Sequence, residues 1–256
     1  MSVSPQKRQL NVAVLAYSSN QRERSVTVLK QLFAMKPATW NVRVYFVDDG
    51  STDGTQEAVD SLGMNVKIVS GNGAWHWSRS MQEAQKSIDQ PFDAILWVSN
   101  DVVVFQDAYT RIDEFRSQYP SSILVAQFCH PESGSFTYGG YQRVSNLGFR
   151  FEAVFADKLP LNVDTFSGKL IFLPKEAMEK VGSVHGKLPR NLADVEYGLR
   201  AASKKVRALA LPGFYGTCTR KSPELPQDNE MDTDIFSPLR GSGFVSKIKF
   251  LRYLFG

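Results

Sequence analysis

The stretch Ala94 to Val104, AILWVSNDVVV, constrains this chain more than any other. Its apolar run lacks the alternation of a strand with one wet face, so it predicts a buried strand covered by helices on both sides. The run breaks at Ser99-Asn100-Asp101 and then resumes. Ligands of open α/β sheets collect outside the carboxyl ends of the strands, which would put Asp101 at the mouth of a crevice, where a carboxylate can hold a metal ion. Asn100 and Asp101 equally suit a plain turn after the strand.

The segments before it alternate. Leu10 to Tyr17 reads as a strand, and Asn20 with Glu23 reads as a capping box that starts a helix with Val26, Leu29 and Phe33 on one face. Val42 to Val47 is a second strand, closed by Asp48-Asp49-Gly50, and a helix runs from there to a glycine stop at Gly63. Val66 to Val69 is a third strand; Gly71-Asn72-Gly73 turns the chain into a helix with Met81, Ala84 and Ile88 inward. Such alternation predicts parallel strands joined by right-handed crossovers. Beyond it, a helix from Asp107 to Tyr119 leads to a strand at Ile123 to Phe128, and His130 to Leu161 is irregular and rich in Gly, Ser and aromatics. Lys169 to Leu173 is a strand, Pro174 opens a short helix ending at Gly182, Leu192 to Ser203 is a helix, and Val206 to Leu211 a last strand.

At 256 residues and 43% hydrophobic content the chain can bury one substantial core. A net charge of +4 in scattered residues argues against nucleic acid as a partner. Cys129 and Cys218 form no CxxC and suit a reduced, cytoplasmic setting, and the first residues are too short an apolar run for a secretory or spanning segment.

Several residues can carry chemistry. Asp48 and Asp49 at a strand end can accept hydrogen bonds from a nucleobase or a ribose, although such acids also cap helices. Trp75-His76-Trp77 would lie at the lip of the same crevice, where indoles stack on a sugar face and His76 donates to a phosphate; aromatics are also ordinary core. Asn72 lies in the turn, and Arg79 on the next helix is a candidate diphosphate contact. The Gly71-Asn72-Gly73 turn lacks the third glycine of a dinucleotide fingerprint, which disfavours a Rossmann oxidoreductase. Tyr138-Gly139-Gly140-Tyr141 and Phe166-Ser167-Gly168 are loops that let a sugar approach the backbone, with the acceptor or donor sugar placed near Gly168.

YFVDDGSTDGT, then GNG, then ILWVSND, then FSGKLIFLPKEAMEKVG and LADVEYGLRA, in this order, resemble the family-2 glycosyltransferases of GT-A fold over Leu10 to Cys218. The resemblance implies a Rossmann-like, mostly parallel sheet with flanking helices and a mixed acceptor-side extension: one domain over residues 1–221, with a nucleotide-binding half at 1–105 and an acceptor half at 106–221. Asp48 would meet the base and Asp49 the nucleoside, with Asn72, Arg79 and Asn100 beside them. Asp101 would be the surviving metal carboxylate for Mg2+ or Mn2+, since Ser99 stands where an aspartate is common. Asp194, at a helix start that favours a carboxylate, would be the general base, and Glu196 a secondary acceptor-side residue. Relatives often carry a histidine after the last strand; here Arg220 or Lys221 would neutralise the diphosphate.

The implied activity is inverting transfer from a UDP-, dTDP- or GDP-linked sugar to a glycan or lipid-linked glycan, as in bacterial surface polysaccharide or O-antigen assembly, with a rhamnosyltransferase-like enzyme as one form. A metal would stabilise the leaving diphosphate and a carboxylate would take the acceptor's proton. A non-catalytic nucleotide- or sugar-binding protein is the alternative; a glycosidase needs two carboxylates flanking the bond and no nucleotide cradle. Residues 222–256 read as a mobile segment or lid, then a basic amphipathic helix with Phe244, Ile248, Leu251 and Phe255 on one face. That helix would rest on the inner face of the cytoplasmic membrane or pack on the domain.

Overall fold

The computed structural model describes residues 9–144, 151–189 and 192–219. Arg220, Lys221 and the tail at 222–256 with its expected amphipathic helix lie outside the described residues. No helix among the described residues is long and apolar enough to cross a membrane.

The first half follows the expected alternation: β1 (Leu10–Ser18), α1 (Arg22–Met35), β2 (Trp40–Asp48), α2 (Thr55–Asp60), β3 (Val66–Ser70), α3 (His76–Lys86) and β4 (Ala94–Val98). β1 pairs in parallel with β2 and β4, and β2 with β3. The second half comprises β5 (Val103–Val104), α4 (Ala108–Gln118), β6 (Ile123–Cys129), β7 (Phe136–Tyr138), β8 (Gly140–Arg143), β9 (Phe151–Val154), β10 (Leu161–Val163), β11 (Thr165–Phe166), β12 (Leu170–Pro174), α5 (Lys175–Val181), α6 (Ala193–Ser203) and β13 (Ala208–Thr217). Among the described residues the main sheet runs β10-β13-β6-β12-β4-β1-β2-β3, and β11-β8-β9 form a small second sheet. β12 is antiparallel to both neighbours, so the sheet is mostly parallel with one reversed strand near its centre.

All five residues of β4 are buried, as an unalternated run requires. Its side chains alternate between two cores: Ile95 and Trp97 pack with Met81 of α3, Val181 of α5 and Tyr197 of α6, whereas Leu96 and Val98 pack with Leu29 of α1 and Tyr109 of α4. Trp97 meets Tyr197 edge-on with ring centroids 5.0 Å apart and Trp77 at 5.7 Å, so one ring in β4 fixes both α3 and α6.

Three local expectations are corrected. Asn20 does not cap α1; Gln21 holds that position without a side-chain bond. The Asn20 backbone is left-handed (φ 50°), and its Oδ1 accepts the Thr52 N–H at 2.8 Å. The loop after β2 lies against the loop after β1, and Asp53 supplies the helix's acceptor by taking the Arg22 N–H at 3.0 Å. The apolar run after Asp101 is not a continuation of β4, because Val103–Val104 pair with Gly216 and Thr217 of β13. The last strand extends through Gly213, whose φ of 70° accommodates an irregularity that a sequence reader takes for a strand end.

α6 approaches β11 closely, since a Cβ on Gly198 would lie 2.6 Å from the Thr165 Cα. Gly198→Ala is therefore expected to cost about 2 kcal/mol and to lower the melting temperature by roughly 4–8 °C in a thermal melt.

Candidate functional site

Sheet register gathers the site. β1 and β2 end in line, Ser18 opposite Asp48, and β4 ends with Val98 opposite Ala16. β12 runs back along β4 with Leu170 opposite Val98, and the Ser99 N–H donates to the Lys169 carbonyl at 2.8 Å. The carboxyl end of β4 thus meets the amino end of β12. Lys169 Nζ lies 2.6 Å from Asp101 Oδ2 and 4.4 Å from the centre of the Tyr138 ring. The Ser99 hydroxyl donates to Asp101 Oδ1 at 2.5 Å. Burial works against the charge on Lys169, but Asp101 together with Cys218 and Tyr138 holds the ammonium above the usual lysine range.

Asp194 bonds to the residue before Lys169. Its Oδ2 accepts the Gly168 N–H at 2.8 Å, and its Oδ1 accepts the N–H of Val195 at 2.9 Å. Burial pushes its carboxyl above the usual aspartate range, against the opposing pull of those two N–H groups and of Lys169; burial outweighs the helix start. A Cβ on Gly168 would lie 3.0 Å from Trp77 Cζ2 and 3.3 Å from Asp194 Cβ, so only glycine fits there without displacement. Gly168 is therefore the buried joint between Asp194 and the Asp101–Lys169 pair.

Asp48 and Asp49 differ in surroundings. Asp48 Oδ1 accepts the Ser51 N–H at 3.2 Å and the Ser51 hydroxyl. Asp49 is 1% exposed and clamps the next loop: Oδ1 accepts the N–H of Gly73 at 2.7 Å, and Oδ2 those of Trp75 at 2.9 Å and His76 at 3.0 Å. Gly50 lets the two loops nest, since its φ is 66° and a Cβ would lie 2.7 Å from the Gly73 nitrogen.

The remaining candidates divide by exposure. Trp75 is half-buried under the Arg79 guanidinium, 5.2 Å from its ring, and His76 is exposed. Trp77 is buried against Trp97, so its ring faces are closed to a sugar. Asn72 is exposed and its Oδ1 accepts the Ala74 N–H at 3.1 Å. Asn100 Nδ2 lies 3.4 Å from the Ser18 hydroxyl. Glu196 is 0% exposed, bonded to Arg200 Nε at 2.7 Å and 3.3 Å from His185 Nδ1. Burial opposes its charge, yet His185 and Arg200 hold its carboxyl below the usual glutamate range, and the cluster pins α6 to the loop after α5. The acceptor-side contact expected of Glu196 is thereby corrected: the carboxylate faces the core.

Lys169 was not singled out by the motifs. The available signal is a charged residue opening the otherwise apolar strand KLIFLP directly after Gly168. The donor set for Mg2+ or Mn2+ also reads differently with Lys169 in place. Asp101 carries an ammonium on one oxygen and a hydroxyl on the other. Among the described residues no three His, Cys, Asp or Glu side chains are grouped to hold a metal ion. A dication prefers several anionic oxygens, and the expected site offers it one carboxylate that already carries an ammonium.

Comparison with known proteins bears on this architecture. A search of curated proteins found no match. Among solved structures, the mannosyltransferase PcManGT from Pyrobaculum calidifontis, in complex with GDP-Man and Mn2+, is 15% identical with a TM-score of 0.59, covering 87% of this chain and 60% of its own. S. aureus TarS residues 1–349 in complex with UDP-GlcNAc is 18% identical with a TM-score of 0.62, covering 84% of this chain and 60% of its own. The chain thus spans about 60% of the length of these structures, and they establish a shared GT-A fold. The family model described as glycosyl transferase family 2 matches residues 20–182, and with the expected motifs falling at one sheet edge, the chain belongs to that family.

Proposed function

We propose that this chain transfers a sugar from a nucleoside-diphosphate donor to a hydroxyl of a glycan or lipid-linked glycan, with inversion at the anomeric carbon. The observation that carries the reading is the placement of an acid and a cation at adjoining residues past the carboxyl end of β4: Asp194 accepts the Gly168 N–H, and Lys169, next in the chain, is bonded through its carbonyl to Ser99 and through its ammonium to Asp101. The acceptor oxygen attacks the anomeric carbon while the bond from that carbon to the diphosphate oxygen breaks. The bonding pair leaves on the diphosphate, and the acceptor's proton passes to Asp194. A carboxyl raised by burial is the stronger base for that proton. Asp48 and Asn100 line the nucleoside end, Asn72, Trp75, His76 and Arg79 its rim, and Asp49 acts by holding the rim loop. Gly168 lets Trp77 and Asp194 pack against the backbone that carries Lys169. Because Asp101 is taken by Lys169, no step is assigned to a metal.

A thermal-shift screen against UDP, GDP, dTDP and CMP tests the reading. At a hundredfold excess over Kd a ligand of the native state adds about 2.7 kcal/mol, so one nucleoside diphosphate is expected to raise the midpoint by several degrees. Absence of any shift at millimolar nucleotide would sink the proposal.

A further inference from the structure

We infer that Lys169 is a built-in cation standing in for the divalent metal, so that the donor diphosphate is held, and its departure eased, without one. The inference rests on the nucleotide-sugar reading of the crevice. Its basis is where the fold puts the ammonium. Lys169 opens the one reversed strand near the sheet centre, and its backbone is tied on both sides, its carbonyl accepting the Ser99 N–H at 2.8 Å and its N–H donating to the Ser167 carbonyl at 2.9 Å. The side chain is 16% exposed, with Nζ 2.6 Å from Asp101 Oδ2 and 4.4 Å from the Tyr138 ring centre. A flexible surface lysine is not held this way.

Asp101 is then a positioning residue. It orients the ammonium, and the Ser99 hydroxyl on its other oxygen fixes the carboxylate in turn. A dication at Asp101 would have to displace the ammonium or share one carboxylate with it, two cations against one anion. An ammonium has three N–H donors and Asp101 Oδ2 takes one, which leaves donors for phosphate oxygens. During transfer the electron pair of the broken bond stays on the diphosphate oxygen. Lys169 stabilises that charge by hydrogen bonding and keeps its proton.

The test uses the full chain and calorimetric titration of UDP, GDP and dTDP in EDTA and again with Mn2+. The expected result is one nucleotide binding in EDTA with a Kd unchanged by Mn2+. Lys169→Met should weaken that diphosphate about 10–100-fold, the worth of a charge-assisted hydrogen bond, and leave binding of the parent nucleoside unchanged. Lys169→Arg should retain most of the affinity, and it keeps the test decisive if Lys169→Met fails to fold. Wild-type binding that requires Mn2+ and disappears in EDTA overturns the inference while leaving the transferase reading intact. So does undiminished diphosphate binding by folded Lys169→Met. If none of the three nucleotides binds under either condition, the nucleotide-sugar reading itself fails.

Discussion

Asp194→Asn is expected to lower kcat about 10²–10⁴-fold, the usual worth of a general base, while nucleoside diphosphate binding stays unchanged. The acceptor hydroxyl must lose its proton as it attacks, and an amide cannot take it. Folding should change little, because two effects oppose each other. An acid whose pKa is raised in the folded state stabilises the fold most when neutral, below its unfolded pKa, and that contribution is lost as pH rises through the folded pKa. Once ionised, Asp194 is therefore a cost to the fold that asparagine removes. Asparagine offers one acceptor oxygen for the N–H groups of Gly168 and Val195, and the orphaned donor costs about 1 kcal/mol. The same shift sets the pH profile: turnover should fall on the acid side with a midpoint above the ordinary aspartate range. Steady-state rates across pH, with a melt on each variant, check all three. A fully active Asp194→Asn would remove Asp194 from the chemistry.

Asp49→Ala is expected to cost about 3 kcal/mol and to lower the melting temperature by roughly 6–12 °C, with nucleotide affinity falling alongside. The carboxylate is buried and accepts three backbone N–H groups of the loop that starts α3. Without it the loop loses its anchor, and Trp75 and His76 lose their placement. A residue acting only through contact with a nucleoside would behave differently, since its alanine variant would melt like the wild type and lose affinity alone. The pair of readouts separates the two roles.

The contrast between Asp48 and Asp49 illustrates what a sequence can convey. Both stand at the end of VRVYFVDD and read alike as acceptors for a ligand. Which of them turns toward the neighbouring loop depends on Gly50 and Gly71 allowing two loops to nest, a long-range fit with no periodic signature. The alternation of strands and helices was legible because burial on both faces of a sheet writes itself into β4 as an unbroken apolar run. The reversed strand β12 was legible as a strand but not in its direction, and direction is what brings Lys169 to Asp101. Asn20 misled because a local pattern, polar residue then glutamate, competed with an acceptor supplied from Asp53. Trp77 and Glu196 sit beside the site in sequence yet point into the core, where Trp97 and Arg200 hold them.

The most direct measurement is a crystal structure of the chain with the nucleoside diphosphate that shifts its melting point. The expected result is a base beside Asp48, a diphosphate hydrogen-bonded to the Lys169 ammonium, and open space in front of Asp194 for the acceptor. A nucleotide seated elsewhere, or a diphosphate that leaves Lys169 and Asp194 untouched, would contradict the assignment of this sheet edge as the site of transfer.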